Sequence, residues 1–316
     1  LAAAIFALAA GFLLLAAGFL FLAAGALAAC FFALIFFAKD LPLKIHVDWR
    51  KQDYIALLKC DTFCLGRTNR AFCNTLQEQD FTMAPLTGIK VVEFGIMIAV
   101  PGAAETLAGF GAEVIKVEDT NRGDELRSYG SNKNGMSGWF ANANAGKRSI
   151  SVDLSTDAGK EVMWELLSDA DVFIQGFRSG VVDKFGFGYE AVSARFPTLI
   201  YCSSTGFGES GPYADLPAYD PIVQALSGWA GIQKVDGDPT LHKTMVSDKT
   251  AASFNTKAIL AALVQRGRTA KGCYIEASML ESNIMFNWPD VMMQCTLLDD
   301  DASHVPNIFV SYRLYE

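Results

Sequence analysis

From about residue 83 onward, short apolar runs alternate with segments of helical spacing. Runs at residues 89–94, 112–118, 148–154, 172–175 and 199–203 have the length and composition of β-strands. Helical patterns cover residues 101–111, 157–168 and 250–268. Strands that alternate with helices predict an α/β fold with a parallel sheet covered on both faces. In such sheets ligands bind beyond the carboxyl ends of the strands, where glycine-rich residues 203–213 are also expected.

Residues 1–38 have a different pattern, because they contain no charged side chain. A seven-residue repeat places Gly11, Gly18 and Gly25 on one face of a helix, which is typical of packed transmembrane helices. We therefore expect either a transmembrane helix or an extension outside the functional protein. Residues 39–82 predict an irregular linker, and residues 83–316 the folded domain. The expected location is cytoplasmic, or membrane-tethered with the domain on the cytoplasmic side if residues 1–38 are genuine.

Charge and cysteine spacing argue against two classes of partner. The net charge is −8, and the chain has no basic stripe that could follow a phosphate backbone, so we expect no nucleic acid. Cys60, Cys64 and Cys73 lack the paired spacing of a structural zinc site, so we expect no metal.

Asp248 is the strongest candidate for chemistry. It immediately precedes the helical pattern of residues 250–268, where the positive end of a helix should keep a carboxylate ionised. An ionised carboxylate beside a glycine-rich turn can attack an acyl carbon and form a covalent intermediate. The alternative is that Asp248 only caps the helix. Dinucleotide, P-loop and hydrolase-elbow motifs are all missing from the chain.

Five segments carry a resemblance to a known family: residues 86–94, 109–118, 146–154, 170–180, and 204–208 with 211–213. In order and spacing they resemble the class III CoA-transferases. The resemblance implies a Rossmann-like large domain, coenzyme A as co-substrate and an interlocked homodimer. It also implies transfer of CoA from an acyl-CoA donor to a small carboxylic acid through an aspartyl-CoA thioester on Asp248. Family members continue further. We therefore expect residues 311–316 to be the first strand of the smaller domain and the rest of that domain to be missing from this sequence.

The same resemblance implies a set of CoA contacts near the strand ends. Phe177 is expected to stack on adenine and Lys184 to meet a phosphate, with Lys116 and Arg122 as further phosphate candidates. The positions that match the family's CoA contacts are Ile98, Ala99, Val152, Asp153, Leu154, Gly176, Phe177, Arg178, Lys184, Ala218 and Tyr219.

Two alternatives to CoA transfer stay open. One is an isomerase of the α-methylacyl-CoA racemase type, although Tyr219 stands where that branch has a histidine, and tyrosine is poorly suited to proton exchange near neutrality. The other is a non-catalytic CoA-binding protein, in which Asp248 only caps its helix. Neither the donor acyl group nor the acceptor acid can be read from the residues.

Overall fold

A computed structural model describes residues 84–234, 237–293, 295–299, 301 and 303. The apolar segment 1–38, the linker 39–82 and the strand expected at residues 311–316 lie outside the described residues. The elements in chain order are β1 (Lys90–Phe94), α1 (Ala99–Gly109), β2 (Glu113–Glu118), a 3-10 turn (Glu125–Ser128), β3 (Asn132–Lys133), β4 (Met136–Ser137), α2 (Gly138–Ala143), β5 (Arg148–Ser151), α3 (Asp157–Ser168), β6 (Val172–Gln175), α4 (Val181–Phe185), α5 (Tyr189–Arg195), β7 (Ile200–Thr205), α6 (Asp220–Leu226), α7 (Trp229–Ile232), α8 (Val246–Thr269), β8 (Tyr274–Ser278) and α9 (Met279–Val291).

Within the described residues, six strands form one parallel sheet in the order β5-β2-β1-β6-β7-β8. The chain leaves β1 toward β2 on one side and later returns to place β6 on the other side. The carboxyl ends of β1 and β6 therefore flank the point where the strand order reverses. Ligands of open α/β sheets bind at this kind of point.

Alternating side chains in each strand face two separate cores. Val91 packs with residues of α1 and α8, including Leu107 and Ile259. The next residue, Val92, packs with Met163 of α3 on the opposite face. All of these side chains are at most 2% exposed. The sheet is thus covered on both faces, as the short, nearly continuous apolar runs predict.

The predicted α/β fold with a parallel sheet is confirmed. All five predicted strands are present within one to three residues of their predicted limits, and the helix at residues 157–168 has the predicted bounds. A sixth strand, β8, was not predicted. The helix expected at residues 250–268 begins earlier, at Val246, so Asp248 lies inside its first turn.

Candidate active site

A cavity of about 320 Å³ opens at the carboxyl ends of β1, β6 and β7. Its walls come from the turn between β1 and α1, the segment after β6, the glycine turn after β7, and the first turns of α6, α8 and α9. The cavity therefore lies at the reversal of strand order. Most of its wall is apolar, whereas the carboxyl groups of Asp220 and Asp248 are the acidic groups in its lining.

Several of the residues predicted from the sequence meet at this cavity. The ones that line it are Ala99, Gly176, Phe177, Arg178, Ala218, Tyr219 and Asp248. They come from four separate segments of the chain, and only the fold brings them together.

The remaining predicted residues lie outside the cavity wall. Ile98 is buried in an apolar cluster directly beneath the β1–α1 turn. Val152 and Leu154 belong to the core beside α3, and the Asp153 carboxylate accepts hydrogen bonds from Ser155. Lys184 is exposed on α4. Their contacts with CoA stay predictions.

Lys116 corrects one expectation. The sequence indicated Lys116 as a possible phosphate ligand. In the structure its side chain is 1% exposed and forms ion pairs with Glu93 and Asp124. It is buried behind the cavity wall and cannot reach a phosphate from there.

Asp248 is not the cap of its own helix. The residue at the N-cap position of α8 is Met245, whose side chain makes no capping hydrogen bond. The carboxylate of Asp220 caps α8 instead, because its Oδ2 accepts hydrogen bonds from the N–H of Ser247 at 2.8 Å and of Asp248 at 3.1 Å. The Asp248 side chain is therefore left to face the cavity, where the residue is 8% exposed.

The environment of Asp248 raises the pKa of its carboxyl group to about 7, from an ordinary value of 3.8. Burial is the largest cause, and the negative charge of Asp220 adds to it. A hydrogen bond from the backbone N–H of Ala99 opposes both by favouring the charged form. Burial therefore opposes the ionisation that the helix start was expected to favour. Protonated and ionised forms are then both well populated.

The β1–α1 turn supplies that Ala99 N–H. Ala99 is the first residue of α1, so its N–H has no partner within the helix and is free to bond a carboxylate. Met97, two residues earlier, adopts a φ of 62°, which is uncommon for a residue with a side chain of this size. The turn thus places a strained residue and a free helix N–H side by side on the cavity wall.

The glycine turn after β7 forms another part of the cavity wall. A Cβ at Gly206 would overlap the Cβ of Ala218, so only glycine allows the two wall segments to approach this closely. The N–H of Gly208 donates to the Oγ1 of Thr205 at 2.9 Å and holds the turn.

Phe177 is fixed by its neighbours rather than free at the rim. Its backbone N–H donates to Oε1 of Gln175 at 2.8 Å, and its ring packs on Phe94 with a centroid distance of 4.4 Å. Gln175 donates in turn to Ser203 at 2.8 Å, which ties β6 to β7. These contacts fix the half-buried Phe177 ring at the cavity wall.

Sequence reasoning missed two residues of the site. Asp220 caps α8 and raises the pKa of Asp248, and Gln224 donates to the other oxygen of Asp220. The signal for Asp220 is an acidic residue followed by Pro221, which is typical of a helix start. Nothing local indicates that it serves a second helix.

Two further findings concern the described part of the chain. None of its helices combines the length and hydropathy needed to cross a membrane. It also contains no group of three or more His, Cys, Asp or Glu side chains that could hold a metal ion. Cys60, Cys64 and Cys73 lie outside it.

Comparison with known proteins gives one consistent family. The model of CoA-transferase family III matches residues 86–315. A succinate–glutarate CoA-transferase of Agrobacterium fabrum is 39% identical over 205 residues, which are 62% of this chain and 51% of that protein. An acetyl-CoA:oxalate CoA-transferase of Acetobacter aceti is 38% identical over 204 residues, covering 64% and 52% of the two chains. The chain spans about half the length of the curated relatives it matches.

Solved structures agree with this result. A CAIB/BAIF family protein from Brucella suis is 36% identical with a TM-score of 0.64, over 66% of this chain and 57% of that one. A hypothetical protein from Mycobacterium tuberculosis is 31% identical with a TM-score of 0.63, over 68% and 60% of the two chains.

Proposed function

Because the chain belongs to CoA-transferase family III, we propose that it transfers coenzyme A from an acyl-CoA donor to a carboxylic acid, with Asp248 as the nucleophile. The observation that carries the proposal is the position of Asp248. Its carboxyl group lies in a cavity at the point where the strand order reverses. The Ala99 N–H interacts with this carboxyl group, and Asp220 caps the helix α8 that carries Asp248. The relatives named above act, by their names, on succinate, glutarate and oxalate, which supports carboxylic acids as acceptors.

In the first half-reaction, the ionised Asp248 attacks the thioester carbonyl of the donor. The carbon–sulfur bond breaks, which leaves a mixed anhydride on Asp248 and CoA as a thiolate. The thiolate then attacks the aspartyl carbonyl of the anhydride. This second attack forms an aspartyl-CoA thioester and releases the donor acid as a carboxylate.

The second half-reaction reverses these steps with the acceptor acid. Its carboxylate attacks the aspartyl thioester and displaces the CoA thiolate, which forms a new anhydride. The thiolate attacks the acceptor's acyl carbon, and the new acyl-CoA leaves while Asp248 returns as a carboxylate. No proton is consumed overall, so the reaction needs a nucleophile and a stabilised oxyanion rather than an acid–base pair.

The residues around Asp248 suit this chemistry. Only the ionised form attacks, and a pKa of about 7 keeps a substantial share ionised at neutral pH while raising the basicity of the carboxylate. Ala99, Thr205 and Gly206 all line the cavity beside Asp248. Backbone N–H groups at such positions can stabilise the oxyanion of each attack. Holding the thioester against a fixed carboxylate contributes further through proximity.

CoA is proposed to lie along the strand ends, with Phe177 stacking on the adenine and Arg178 near the phosphates. Both side chains line the cavity. Lys184 and residues 152–154 would contact the parts of CoA that extend beyond it. In this role CoA is a substrate that enters and leaves, and Asp248 carries it between the two half-reactions.

We also propose that the protein works as a homodimer. Along α9 the side chains of Met285, Phe286 and Trp288 are 62%, 53% and 49% exposed. Neighbouring apolar side chains at this level of exposure mark interaction surfaces. Mass photometry should show a dimer, whereas a stable monomer that retains transferase activity would contradict this part of the proposal.

A transfer assay tests the proposed activity. The protein is incubated with succinyl-CoA and a panel of carboxylic acids, and new acyl-CoA species are measured by liquid chromatography. Asp248→Asn should abolish transfer, whereas Asp157→Asn, which changes an exposed first-turn aspartate of α3, should not. In heavy water, α-deuterium uptake by 2-methylacyl-CoA without any acceptor would support the isomerase instead. Tight CoA binding without either reaction would support the non-catalytic alternative.

A further inference from the structure

Four buried charged side chains lie directly behind the β1–α1 turn. Lys116 Nζ pairs with Glu93 Oε1 at 2.8 Å and with Asp124 Oδ2 at 2.9 Å, and Lys147 Nζ pairs with Glu93 Oε2 at 2.6 Å. Every one of these side chains is at most 2% exposed. They form a continuous chain of alternating charge, which we call the buried cluster of Glu93, Lys116, Asp124 and Lys147.

The buried cluster holds the backbone of the turn at three points. Lys116 Nζ donates to the carbonyl of Gly95 at 2.8 Å. Asp124 Oδ1 accepts from the N–H of Met97 at 3.1 Å. Lys147 Nζ donates to the carbonyl of Pro101 at 2.8 Å, in the first turn of α1. These contacts span residues 95–101, and between them lies Ala99, which lines the cavity with Asp248 and whose N–H lowers the pKa of that carboxyl group.

The turn needs such support because of Met97. Among the described non-glycine residues with positive φ, Ala270 ends a helix and Asn134 is of a type that tolerates this region, whereas Met97 has neither reason. A strained backbone conformation persists only where many surrounding contacts hold it in place, and such conformations are concentrated at functional sites. Met97 also lines the cavity, so the strain is located where a ligand would bind.

Stability alone is a weak reason for this cluster. Buried ion pairs lose much of their attraction to the cost of removing charges from water, and apolar side chains of similar volume often serve as well. The charged side chains of the buried cluster, unlike apolar side chains, make directional hydrogen bonds that fix the position of the backbone. A leucine can fill the space of Lys116, but it cannot hold the Gly95 carbonyl.

We propose that Glu93, Lys116, Asp124 and Lys147 are positioning residues, which hold the β1–α1 turn so that the Ala99 N–H stays on the Asp248 carboxyl group. The effect of this positioning on turnover rests on the proposed function of Asp248. The geometric part, from the buried cluster through Met97 to Ala99, does not depend on any activity.

Asp124→Asn tests the link, because it removes one charge of the cluster and weakens the hold on Met97. Two quantities are measured in the purified protein: the pKa of Asp248, from its side-chain carbon signal by NMR, and kcat for CoA transfer. The pKa should rise, since the Ala99 hydrogen bond that lowers it is weakened. kcat should fall by about 10- to 100-fold with little change in KM for the donor, as expected when a reacting group is misplaced.

Asp171→Asn is the matched control. Asp171 is a partly buried aspartate that pairs with Arg266 at 2.8 Å and accepts from the N–H of Lys90 at 2.7 Å. It lies at the amino ends of the strands, opposite the cavity, so it should change neither quantity. If Asp124→Asn does not fold, the charge-neutral double variant Glu93→Gln with Lys147→Met removes the hold on Pro101 and should move both quantities in the same directions.

The outcomes separate this proposal from the proposed function. An unchanged Asp248 pKa in the cluster variants, equal to that of the Asp171 control, overturns the positioning proposal and leaves the nucleophile untouched. A raised pKa with undiminished transfer upholds the hold on Ala99 and overturns its consequence for turnover, whereas the nucleophile itself is tested separately by Asp248→Asn. Both quantities moving together is the expected result.

Discussion

Replacing Asp248 with asparagine should make the folded protein more stable above neutral pH. The buried carboxyl group has a pKa of about 7 in the folded protein, compared with an ordinary value of 3.8 that applies when the chain is unfolded. Between these two values the folded state holds a proton that the unfolded state has lost. The free energy of unfolding must therefore fall as pH rises through this range.

The size of the effect follows from the same two values. One pKa unit is worth about 1.4 kcal/mol, so the full difference amounts to about 4 kcal/mol once the pH exceeds the folded pKa. An asparagine side chain at this position cannot ionise, yet its oxygen can still accept from the Ala99 N–H. We expect Asp248→Asn to match the original protein near about pH 4 and to exceed its stability by up to about 4 kcal/mol near about pH 8.

Urea unfolding across this pH range, followed by circular dichroism, measures the difference. Asp157→Asn is the control, because that carboxylate is exposed in the first turn of α3 and should leave the pH dependence unchanged. A lower stability of Asp248→Asn near neutrality, or an equal difference between the two proteins at all pH values, would refute a buried carboxyl group with a raised pKa. If Asp248→Asn raises the free energy of unfolding, the buried carboxyl group of the proposed nucleophile destabilises the folded protein.

Substitutions at three other positions have outcomes set by the same geometry. Asp220→Asn removes the charge that helps raise the pKa of Asp248, so the acid limb of the pH–rate profile should move to lower pH; movement to higher pH would contradict this. Met97→Val should lower the free energy of unfolding by about 2 kcal/mol, because a branched side chain is strained at positive φ, whereas Met97→Gly should change it by less than about 1 kcal/mol. Equal losses would refute the strain. Gly206→Ala should cost about 1–3 kcal/mol and weaken CoA binding in calorimetry, since its Cβ would overlap that of Ala218; unaltered binding would argue against this wall.

Much of the sheet could be predicted because its strands are buried on both faces. Residues 172–175 and 200–205 are buried throughout, and each begins in the sequence with a short apolar run, Val172–Ile174 and Ile200–Cys202. β8 was not predicted from the sequence because it lies at the edge of the sheet. Its residues Tyr274–Ser278 are mostly half-buried and include a glutamate, so neither alternation nor a continuous apolar run marks them.

The position of Asp248 was predictable, but its electrostatic state was not. Its place near the start of a helix can be read from the residues that follow it. Its burial, and the approach of Asp220 from 28 residues upstream, depend on the packing of α6 against α8. These tertiary contacts decide the pKa, and for the same reason Lys116 looked like a phosphate ligand although it is buried among acids.

The most direct test of Asp248 as the nucleophile is mass spectrometry of the protein quenched with acid during turnover of an acyl-CoA. We predict a covalently attached CoA on the peptide that contains Asp248, released by hydroxylamine and missing from Asp248→Ala. Attachment to a different residue, or steady transfer with no covalent CoA at any time point, would contradict it.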